Sequence, residues 1–218
     1  MKKSTDINQS INRSSFIIHR FHYLTQDLPD ISHQELAEIA CKNGIRWIQL
    51  RVKNKSHEEW LQIAKEVKSV CDKYQAILII NDNVVIAKEV DAHGVHLGKK
   101  DMSVAEARKI LGKDKIIGGT ANTIVDIEHL QSAGVDYIGL GPYKFTSTKE
   151  KLNPILGLEG YSIIQQFNST VPIIAIGGIK LEDVKSLMNT GIHGIAVSSV
   201  INLAEDKAKV ISSFLELV

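Results

Sequence analysis

The sequence contains only two cysteines and no long hydrophobic run, and these absences exclude several classes of protein. Cys41 and Cys71 fall in helical patterns without metal-ligand spacing, which indicates reduced thiols that pack in a core rather than a disulfide or a zinc site. No stretch approaches the roughly 18 apolar residues of a membrane span, and the N-terminus lacks a signal-peptide core. We therefore expect a cytoplasmic protein.

The sequence also lacks an excess of charge. Twenty-six basic and twenty-five acidic side chains leave a net charge of +1, without a long block of like charges, which argues against nucleic-acid or membrane partners. The 218 residues, 44% of them hydrophobic, can bury one full core but are too few for a barrel plus a second full domain. We expect a flexible polar tail over residues 1–15 and one domain over residues 16–218. A homo-oligomer is compatible with this composition.

Short apolar runs alternate with stretches of helical period, which is typical of βα units around a parallel sheet. Eight such runs predict an α/β protein, a single (β/α)8 TIM barrel. The predicted strands are Phe21–Thr25, Trp47–Arg51, Ile77–Asn81, Gly94–Leu97, Lys115–Gly118, Tyr137–Gly141, Pro172–Gly177 and Gly194–Ser198. The capping boxes that predict helix starts pair Ser32 with Glu35, Ser56 with Glu59 and Ser103 with Glu106.

The last two predicted strands end in residues suited to wrap a phosphate. Gly177-Gly178 lets the backbone approach an anion, and Ser198-Ser199 supplies N–H groups where the final helical segment begins. The loops after strands seven and eight form the usual phosphate site of such barrels, so we expect a phosphorylated small-molecule ligand. The alternative is a pair of tight turns whose small residues serve packing.

A cationic cluster follows the second predicted strand. Gln49 and Arg51 alternate to the same side, which can face the barrel mouth, and Lys53 follows. A guanidinium fork and a mobile ammonium suit a diphosphate. A solvated or internally paired cluster explains the spacing equally well.

Two carboxylates fall at the ends of neighbouring predicted strands. Asp82 follows the third strand and Asp101 lies just after the fourth, so the two could meet above the barrel. Mg²⁺ commonly takes one or two carboxylates together with water and substrate phosphates. The pair therefore predicts a magnesium-diphosphate site. The alternative is that Asp82 caps the following helix and Asp101 belongs to the turn before Ser103.

The segment from Gly141 to Gly157 has no periodic pattern and is longer than most βα loops. Thr146-Ser-Thr148-Lys149 places hydroxyls and a cation in it, a combination able to hold a phosphate when the loop closes and excludes water. An exposed polar turn is the alternative. Length and position favour a lid.

Taken together, these motifs resemble those of the thiamine-phosphate synthases, from about Phe21 to the C-terminus. The motifs that carry the resemblance are Gln49-Leu-Arg51-Val-Lys53, Ile80-Asn-Asp-Asn83, Gly94-Val-His-Leu-Gly98 with Asp101-Met102, Gly139-Leu-Gly-Pro142 with Thr146-Ser-Thr-Lys149, and Ala175-Ile-Gly-Gly-Ile179. The resemblance implies a transferase that joins 4-amino-2-methyl-5-hydroxymethylpyrimidine diphosphate to 4-methyl-5-(2-phosphoethyl)thiazole. Thiamine phosphate and diphosphate are the implied products, with Mg²⁺ as the implied cofactor.

The resemblance also implies a role for each matching residue. The implied pyrimidine-diphosphate contacts are Gln49, Arg51, Lys53, Asn81, Thr120 and Lys149, and the implied magnesium ligands are Asp82 and Asp101. The implied lid and thiazole-phosphate residues are Thr146, Thr148, Gly178, Ser198 and Ser199. The implied mechanism is dissociative, with Arg51, Lys53 and Lys149 as the catalytic cations that stabilise the departing diphosphate.

Two departures from the family pattern stand out. Thr120-Ala-Asn-Thr123 has Asn122 where the family often has a histidine, and Tyr143-Lys144-Phe145 replaces a more typical aliphatic-aromatic-proline run. A homologous thiazole tautomerase is the nearest competing activity, but it is expected to need that histidine and little of the diphosphate apparatus. A non-catalytic barrel that binds thiamine precursors is a further alternative, and a phosphosugar isomerase would not explain the aspartate pair.

Overall fold

A computed structural model describes residues 17–146, 154–165 and 169–218, with the backbone alone for 163–165. Eight parallel strands close into a barrel in chain order, and the last strand pairs with the first. The strands are β1 (Phe21–Leu24), β2 (Trp47–Leu50), β3 (Ile77–Asn81), β4 (Gly94–Leu97), β5 (Ile116–Ala121), β6 (Tyr137–Leu140), β7 (Ile173–Ile176) and β8 (Gly194–Val197). The predicted TIM barrel is confirmed. The predicted tail over residues 1–15 lies outside the described residues, and its boundary stays a prediction.

Helices alternate with the strands and surround the barrel. They are α1 (His33–Lys42), α2 (His57–Lys73), α3 (Val84–Glu89), α4 (Val104–Leu111), α5 (Ile124–Ala133), α6 (Gly157–Gln165), α7 (Val184–Met188), α8 (Ser199–Asn202) and α9 (Lys207–Leu215). A short 3-10 turn, Leu181–Asp183, precedes α7. Within the described segments, no helix has the length and apolar character needed to cross a membrane.

The three predicted capping boxes are all present. Ser32, Ser56 and Ser103 each accept the backbone N–H of the glutamate three residues later, and that glutamate bonds back to the serine N–H. A fourth box, Thr123 with Asp126, starts α5 and was missed because aspartate replaces the expected glutamate or glutamine.

The predicted strand ends agree with the structure to within one residue, except in the fifth strand. That strand was predicted to end at Gly118, but β5 runs on through Ala121, so Thr120 lies inside the strand rather than after it. Side chains from neighbouring elements stand close to the two glycines that interrupt the pattern. A Cβ on Gly118 would stand 2.2 Å from Tyr137 Cζ, and one on Gly119 would stand 2.5 Å from Leu130 Cδ2.

The barrel interior holds its own apolar cluster, separate from the one between the strands and the helices. Trp47 and Tyr137 are its largest members and meet edge to face, with ring centroids 5.4 Å apart. His22 stacks on Trp47 at 4.1 Å and is buried, and this burial holds its pKa well below the usual value. This interior cluster fills the barrel below the layer of polar side chains.

Candidate active site

A layer of polar side chains lines the barrel near the carboxyl ends of β2 to β5. Gln49 Nε2 donates to Asn81 Oδ1 at 2.7 Å, and both side chains are buried. Asn81 is the register partner of His96 in β4, whose Nε2 lies 3.0 Å from Thr120 Oγ1. The structure thus brings together three residues predicted from the sequence, Gln49 on β2, Asn81 on β3 and Thr120 on β5, in one half of the mouth, with His96 of β4 between the last two.

Arg51 and Lys53 follow β2 directly, and side chains from the β1–α1 connection hold their backbone. The Arg51 N–H donates to Thr25 Oγ1 at 3.2 Å, and the Lys53 N–H donates to Asp27 Oδ2 at 3.1 Å. Burial lowers the pKa of the Arg51 guanidinium, while the nearby carboxylates of Asp82 and Asp27 act in the opposite direction. Because arginine stays charged in proteins, the mouth holds a half-buried cation beside carboxylates.

The carboxylates of Asp82 and Asp101 converge over Gly98. Asp101 Oδ2 accepts the Gly98 N–H at 2.7 Å. A Cβ on Gly98 would stand 2.8 Å from Asp101 Oδ2 and 3.9 Å from Asp82 Oδ1, so it would displace the Asp101 carboxylate and make an ordinary contact with that of Asp82. Both aspartates are exposed at the mouth. Their meeting above the barrel, expected from the strand order, is what the geometry shows.

The backbone of Asp82 helps to aim its side chain. Its φ of 66° lies in the left-handed region, which aspartate tolerates better than most residues, and its N–H donates to His96 O at 2.8 Å. The alternative role of Asp82 as the cap of the next helix is wrong, because Asn83 Oδ1 accepts the Ile86 N–H at 3.0 Å and caps α3. Asn83, and not Asp82, is therefore the N-cap of α3.

His96 is held at both ring nitrogens. Its Nδ1 lies 3.0 Å from the Tyr137 hydroxyl and its Nε2 lies 3.0 Å from Thr120 Oγ1. Burial raises the pKa of the Tyr137 phenol, so the hydroxyl keeps its proton and can donate it to Nδ1. In that tautomer Nε2 carries the ring proton and donates to Thr120 Oγ1. The Thr120 hydroxyl is then left with its own proton for a ligand.

The glycines after β7 pack against the chain that leaves β6. Gly177 and Gly178 have φ values of 102° and 66°, which favour glycine. A Cβ on Gly178 would stand 2.4 Å from Phe145 O, and one on Gly177 would stand 2.8 Å from Pro142 Cα. The packing role, which the sequence left open as an alternative, is thus real. The anion-binding role of Gly178 stays a prediction.

Ser198 and Ser199 lie at the end of β8, next to the β7 glycines. The β7–β8 register pairs Ile176 with Ala196, so the turn at Gly177-Gly178 and the turn at Ser198-Ser199 follow neighbouring strands. Ser198 Oγ donates to Leu24 O at 3.1 Å, so this hydroxyl closes the seam between β8 and β1. Any phosphate contact from Ser198 would therefore come from its backbone N–H. Ser199 is the first residue of the four-residue helix α8.

The predicted lid residues are described only in part. Thr146 is half-buried at the end of the described segment, whereas Thr148 and Lys149 lie outside the described residues. The roles predicted for these three residues stay predictions.

The stem of this loop is fixed to the neighbouring β7–α7 connection. The Tyr143 N–H donates to Ile176 O at 2.9 Å, and Lys144 Nζ donates to Asp183 Oδ1 at 2.6 Å. The other carboxylate oxygen, Asp183 Oδ2, accepts the Lys180 N–H at 3.0 Å. The bond to Asp183 raises the pKa of Lys144, so this ion pair forms across the neutral pH range. The Tyr143-Lys144 departure from the family pattern therefore provides an anchor for the loop stem.

One half of the barrel mouth carries two acidic side chains, a cation and a layer of polar side chains. The other half carries the glycine and serine turns. The family model described as thiamine monophosphate synthase matches residues 23–201, which is most of the chain. The chain belongs to the thiamine monophosphate synthase family.

Curated relatives in this family match over most of their own length. The thiamine-phosphate synthase of Flavobacterium johnsoniae is 53% identical over 172 residues, which is 77% of this chain and 81% of that protein. The thiamine-phosphate synthase of Bacteroides fragilis is 48% identical over 188 residues, which is 84% of this chain and 92% of that protein. The solved thiamine phosphate pyrophosphorylase of Pyrococcus furiosus has a TM-score of 0.82 and 30% identity, and covers 91% of this chain and 94% of that one.

Asn122, which replaces the histidine of the family pattern, is engaged in the structure. Its side-chain amide donates to Gly141 O, and its backbone N–H donates to Asp126 Oδ2 at 2.9 Å. The side chain is buried, at 8% exposure. Asn122 therefore ties the end of β5 to the start of the long loop that follows β6.

Sequence reasoning missed the groups that hold the site in place. Thr25, Asp27 and His33 lie behind Arg51 and Lys53, and Asp183 anchors the loop stem. Each of these contacts joins segments distant in the sequence. The only local signal for these supporting residues was their polar character after the end of a predicted strand. Polar residues are common in loops, so this signal does not distinguish them.

Proposed function

We propose that this chain is a thiamine-phosphate synthase that couples 4-amino-2-methyl-5-hydroxymethylpyrimidine diphosphate to 4-methyl-5-(2-phosphoethyl)thiazole. The observation that carries the proposal is the convergence of Asp82 and Asp101 over Gly98, next to the half-buried cation Arg51. A phosphate site alone occurs in many barrels. A carboxylate pair beside a cation is what a metal-bound diphosphate requires in addition.

Mg²⁺ fits the donors at this edge. It prefers oxygen ligands and is usually held by one or two carboxylates, with water and substrate phosphates in the remaining positions. Among the described residues, no cluster of three or more His, Cys, Asp or Glu could hold a metal. Two carboxylates alone would leave most of the coordination positions of Mg²⁺ to water and substrate oxygens. Bound Mg²⁺ would supply positive charge to offset the charge of the diphosphate.

The two substrates would occupy opposite halves of the mouth. Gln49, Asn81 and Thr120 offer amide and hydroxyl groups for the heteroatoms of the pyrimidine, and Arg51 and Lys53 offer cations for its diphosphate. The turns after β7 and β8, at Gly178 and at Ser198-Ser199, would receive the thiazole phosphate. Thr146, Thr148 and Lys149 of the long loop would close over both substrates.

The reaction needs no enzyme nucleophile. The bond between the pyrimidine methylene carbon and the diphosphate oxygen breaks, and the diphosphate leaves with the electron pair. The thiazole nitrogen then forms a bond to the methylene cation. Arg51, Lys53 and Lys149 would stabilise the leaving diphosphate, and the barrel would hold the two substrates close together, so catalysis would be electrostatic and positional.

The competing tautomerase activity is disfavoured by Asn122. An amide cannot exchange protons as an acid or base near neutral pH, and this amide is engaged with Gly141 O. The retained aspartate pair would also have no use in an isomerisation that releases no diphosphate.

The test is a coupling assay with both purified substrates, in the presence of Mg²⁺ and in the presence of EDTA. We expect thiamine phosphate with Mg²⁺ and none with EDTA. Asp82→Ala should abolish turnover yet leave the dissociation constant for the thiazole phosphate within about twofold, because the two half-sites are separate. Equal loss of turnover and thiazole-phosphate binding would contradict separate sites.

Glu89→Ala is a matched control, since Glu89 is also exposed at the surface and its carboxylate lies 3.2 Å from His57 Nε2, away from the two aspartates. It should turn over normally. Binding of both substrates without any product in the wild type would overturn the synthase proposal in favour of a non-catalytic binding barrel.

A further inference from the structure

The first residue of α1, His33, bridges two side chains from the end of β1. His33 Nδ1 lies 2.8 Å from Thr25 Oγ1, and His33 Nε2 lies 3.1 Å from Asp27 Oδ1. The imidazole is 7% exposed and Thr25 is fully buried. Thr25 Oγ1 accepts the Arg51 N–H and can donate its own proton to Nδ1, which leaves the ring proton on Nε2 facing Asp27.

These side chains continue the β1–β2 pairing beyond the last paired residues of the two strands. Regular pairing ends with Leu24 opposite Gln49, and the next bond runs from the Thr25 N–H to Gln49 O. Beyond that point the Arg51 N–H donates to the hydroxyl oxygen of Thr25, and the Lys53 N–H donates to the carboxylate of Asp27. Side-chain oxygens thus stand where backbone carbonyls would stand in a longer strand.

We propose that His33 is a positioning residue that, through Thr25 and Asp27, fixes the backbone of Arg51 and Lys53 for diphosphate binding. The inference rests on the proposed function, because it assigns these two cations to the diphosphate. One nitrogen of His33 contacts the acceptor of the Arg51 N–H, and the other contacts the carboxylate that accepts the Lys53 N–H. His33 therefore acts on the backbone of both cations at once.

The chain contains an internal comparison for this role. His33 and His57 are both the first residue of a helix, and each follows a serine that forms a capping box with a glutamate three residues later. His57 is 46% exposed and its Nε2 lies 3.2 Å from Glu89 Oε2 on the surface. The helix start therefore does not itself require a buried histidine with two partners. His33 differs from His57 in its contacts with Thr25 and Asp27, the two residues that accept the N–H groups of Arg51 and Lys53.

The test is the affinity of the full chain for inorganic diphosphate with Mg²⁺, measured by calorimetry in wild type, His33→Leu, His33→Gln and His57→Leu. His33→Leu should weaken the affinity about tenfold, which is the effect of losing one hydrogen-bonding group. His33→Gln, whose amide can replace Nε2 opposite Asp27, should recover part of that loss. His57→Leu should equal wild type.

A merely structural role would give a different pattern. In that case His33→Leu would lower the melting temperature but leave the affinity of the folded protein for Mg²⁺-diphosphate unchanged, or would weaken thiazole-phosphate binding equally. Either result would overturn the proposal. We expect thiazole-phosphate affinity to stay within about twofold.

A second pair of variants covers the case in which His33→Leu does not fold. Thr25→Val keeps the shape of the side chain but removes the acceptor for the Arg51 N–H, whereas Thr25→Ser keeps the hydroxyl. Weaker Mg²⁺-diphosphate binding in Thr25→Val alone supports the proposal, and equal binding in both refutes it. Turnover by the wild type is measured in a separate coupling assay. A chain that binds Mg²⁺-diphosphate but makes no product contradicts the proposed function and leaves this comparison intact.

Discussion

Gly98 provides a sharp test of the proposed magnesium site, because substituting it perturbs the two aspartates without removing either. Its φ lies outside the left-handed region, so the backbone accepts alanine. The added Cβ would stand 2.8 Å from Asp101 Oδ2, closer than carbon and oxygen atoms tolerate. The carboxylate must therefore move off the Gly98 N–H, from which it now accepts a bond at 2.7 Å. Asp82 Oδ1, at 3.9 Å, has room to stay.

The size of the effect follows from the bond that is lost. A hydrogen bond to a charged group contributes about 1.5–3 kcal/mol, and the lower end applies because Gly98 and Asp101 are open to water, which can partly replace the N–H. A loss of about 1.4 kcal/mol is a tenfold change in an equilibrium constant. Gly98→Ala should therefore raise the Mg²⁺ concentration for half-maximal rate about tenfold.

The assay is the initial rate of coupling as a function of Mg²⁺ concentration, with melting temperatures to confirm folding. Saturating Mg²⁺ should restore most of the rate, because both carboxylates are still present. Gly112→Ala is the control. A Cβ there meets no atom within 4 Å, but φ is 85°, so this variant loses stability and keeps the wild-type Mg²⁺ requirement. A folded Gly98→Ala protein whose Mg²⁺ requirement matches wild type within twofold would refute the reasoning.

Three further predictions concern stability. Asp183→Ala should lower the melting temperature by about 4–8 °C, since it removes the buried acceptor of Lys144 and costs about 2 kcal/mol; an unchanged melting curve would show that the anchor contributes nothing. Ser198→Ala should cost about 1 kcal/mol in unfolding by denaturant yet leave thiazole-phosphate affinity unchanged, because the hydroxyl bonds Leu24 O; a large loss of affinity would contradict this. Burial lowers the pKa of His22 well below its value in the unfolded chain, so the unfolded chain takes up a proton first as the pH is lowered. The free energy of unfolding should therefore decrease when the pH drops below about 6.5, by up to about 1.4 kcal/mol per pH unit. His22→Phe should reduce that slope in urea unfolding at pH 7 and pH 5, and an identical slope would rule His22 out.

The barrel could be predicted from the sequence because its signals are local. Apolar runs of strand length alternate with helical periods, and each Ser-x-x-Glu box marks a helix start by bonds within four residues. The fifth strand was cut short because Gly118 and Gly119 look like a turn in isolation. In the closed barrel Tyr137 and Leu130 lie where side chains at these two positions would extend, and these contacts exist only once the barrel has formed.

The candidate site could be predicted in part for a similar reason. Parallel strands bring their carboxyl ends to one edge, so strand order alone places Asp82 near Asp101 and Gln49 near Asn81. The supporting groups could not be found this way. Ser32-His33 and Ser56-His57 are alike in sequence, yet the first histidine is buried behind the predicted cations and the second is exposed. Only tertiary contacts distinguish them.

The most direct measurement is the product stoichiometry of a single-turnover reaction with Mg²⁺, in which the chain is in excess over both substrates and the mixture is analysed by mass spectrometry. We predict one thiamine phosphate and one diphosphate for each pyrimidine diphosphate consumed, and no consumption after EDTA. Diphosphate release without thiamine phosphate, an altered thiazole in the absence of the pyrimidine, or no reaction with both substrates bound would each contradict the assignment of this barrel as the coupling enzyme.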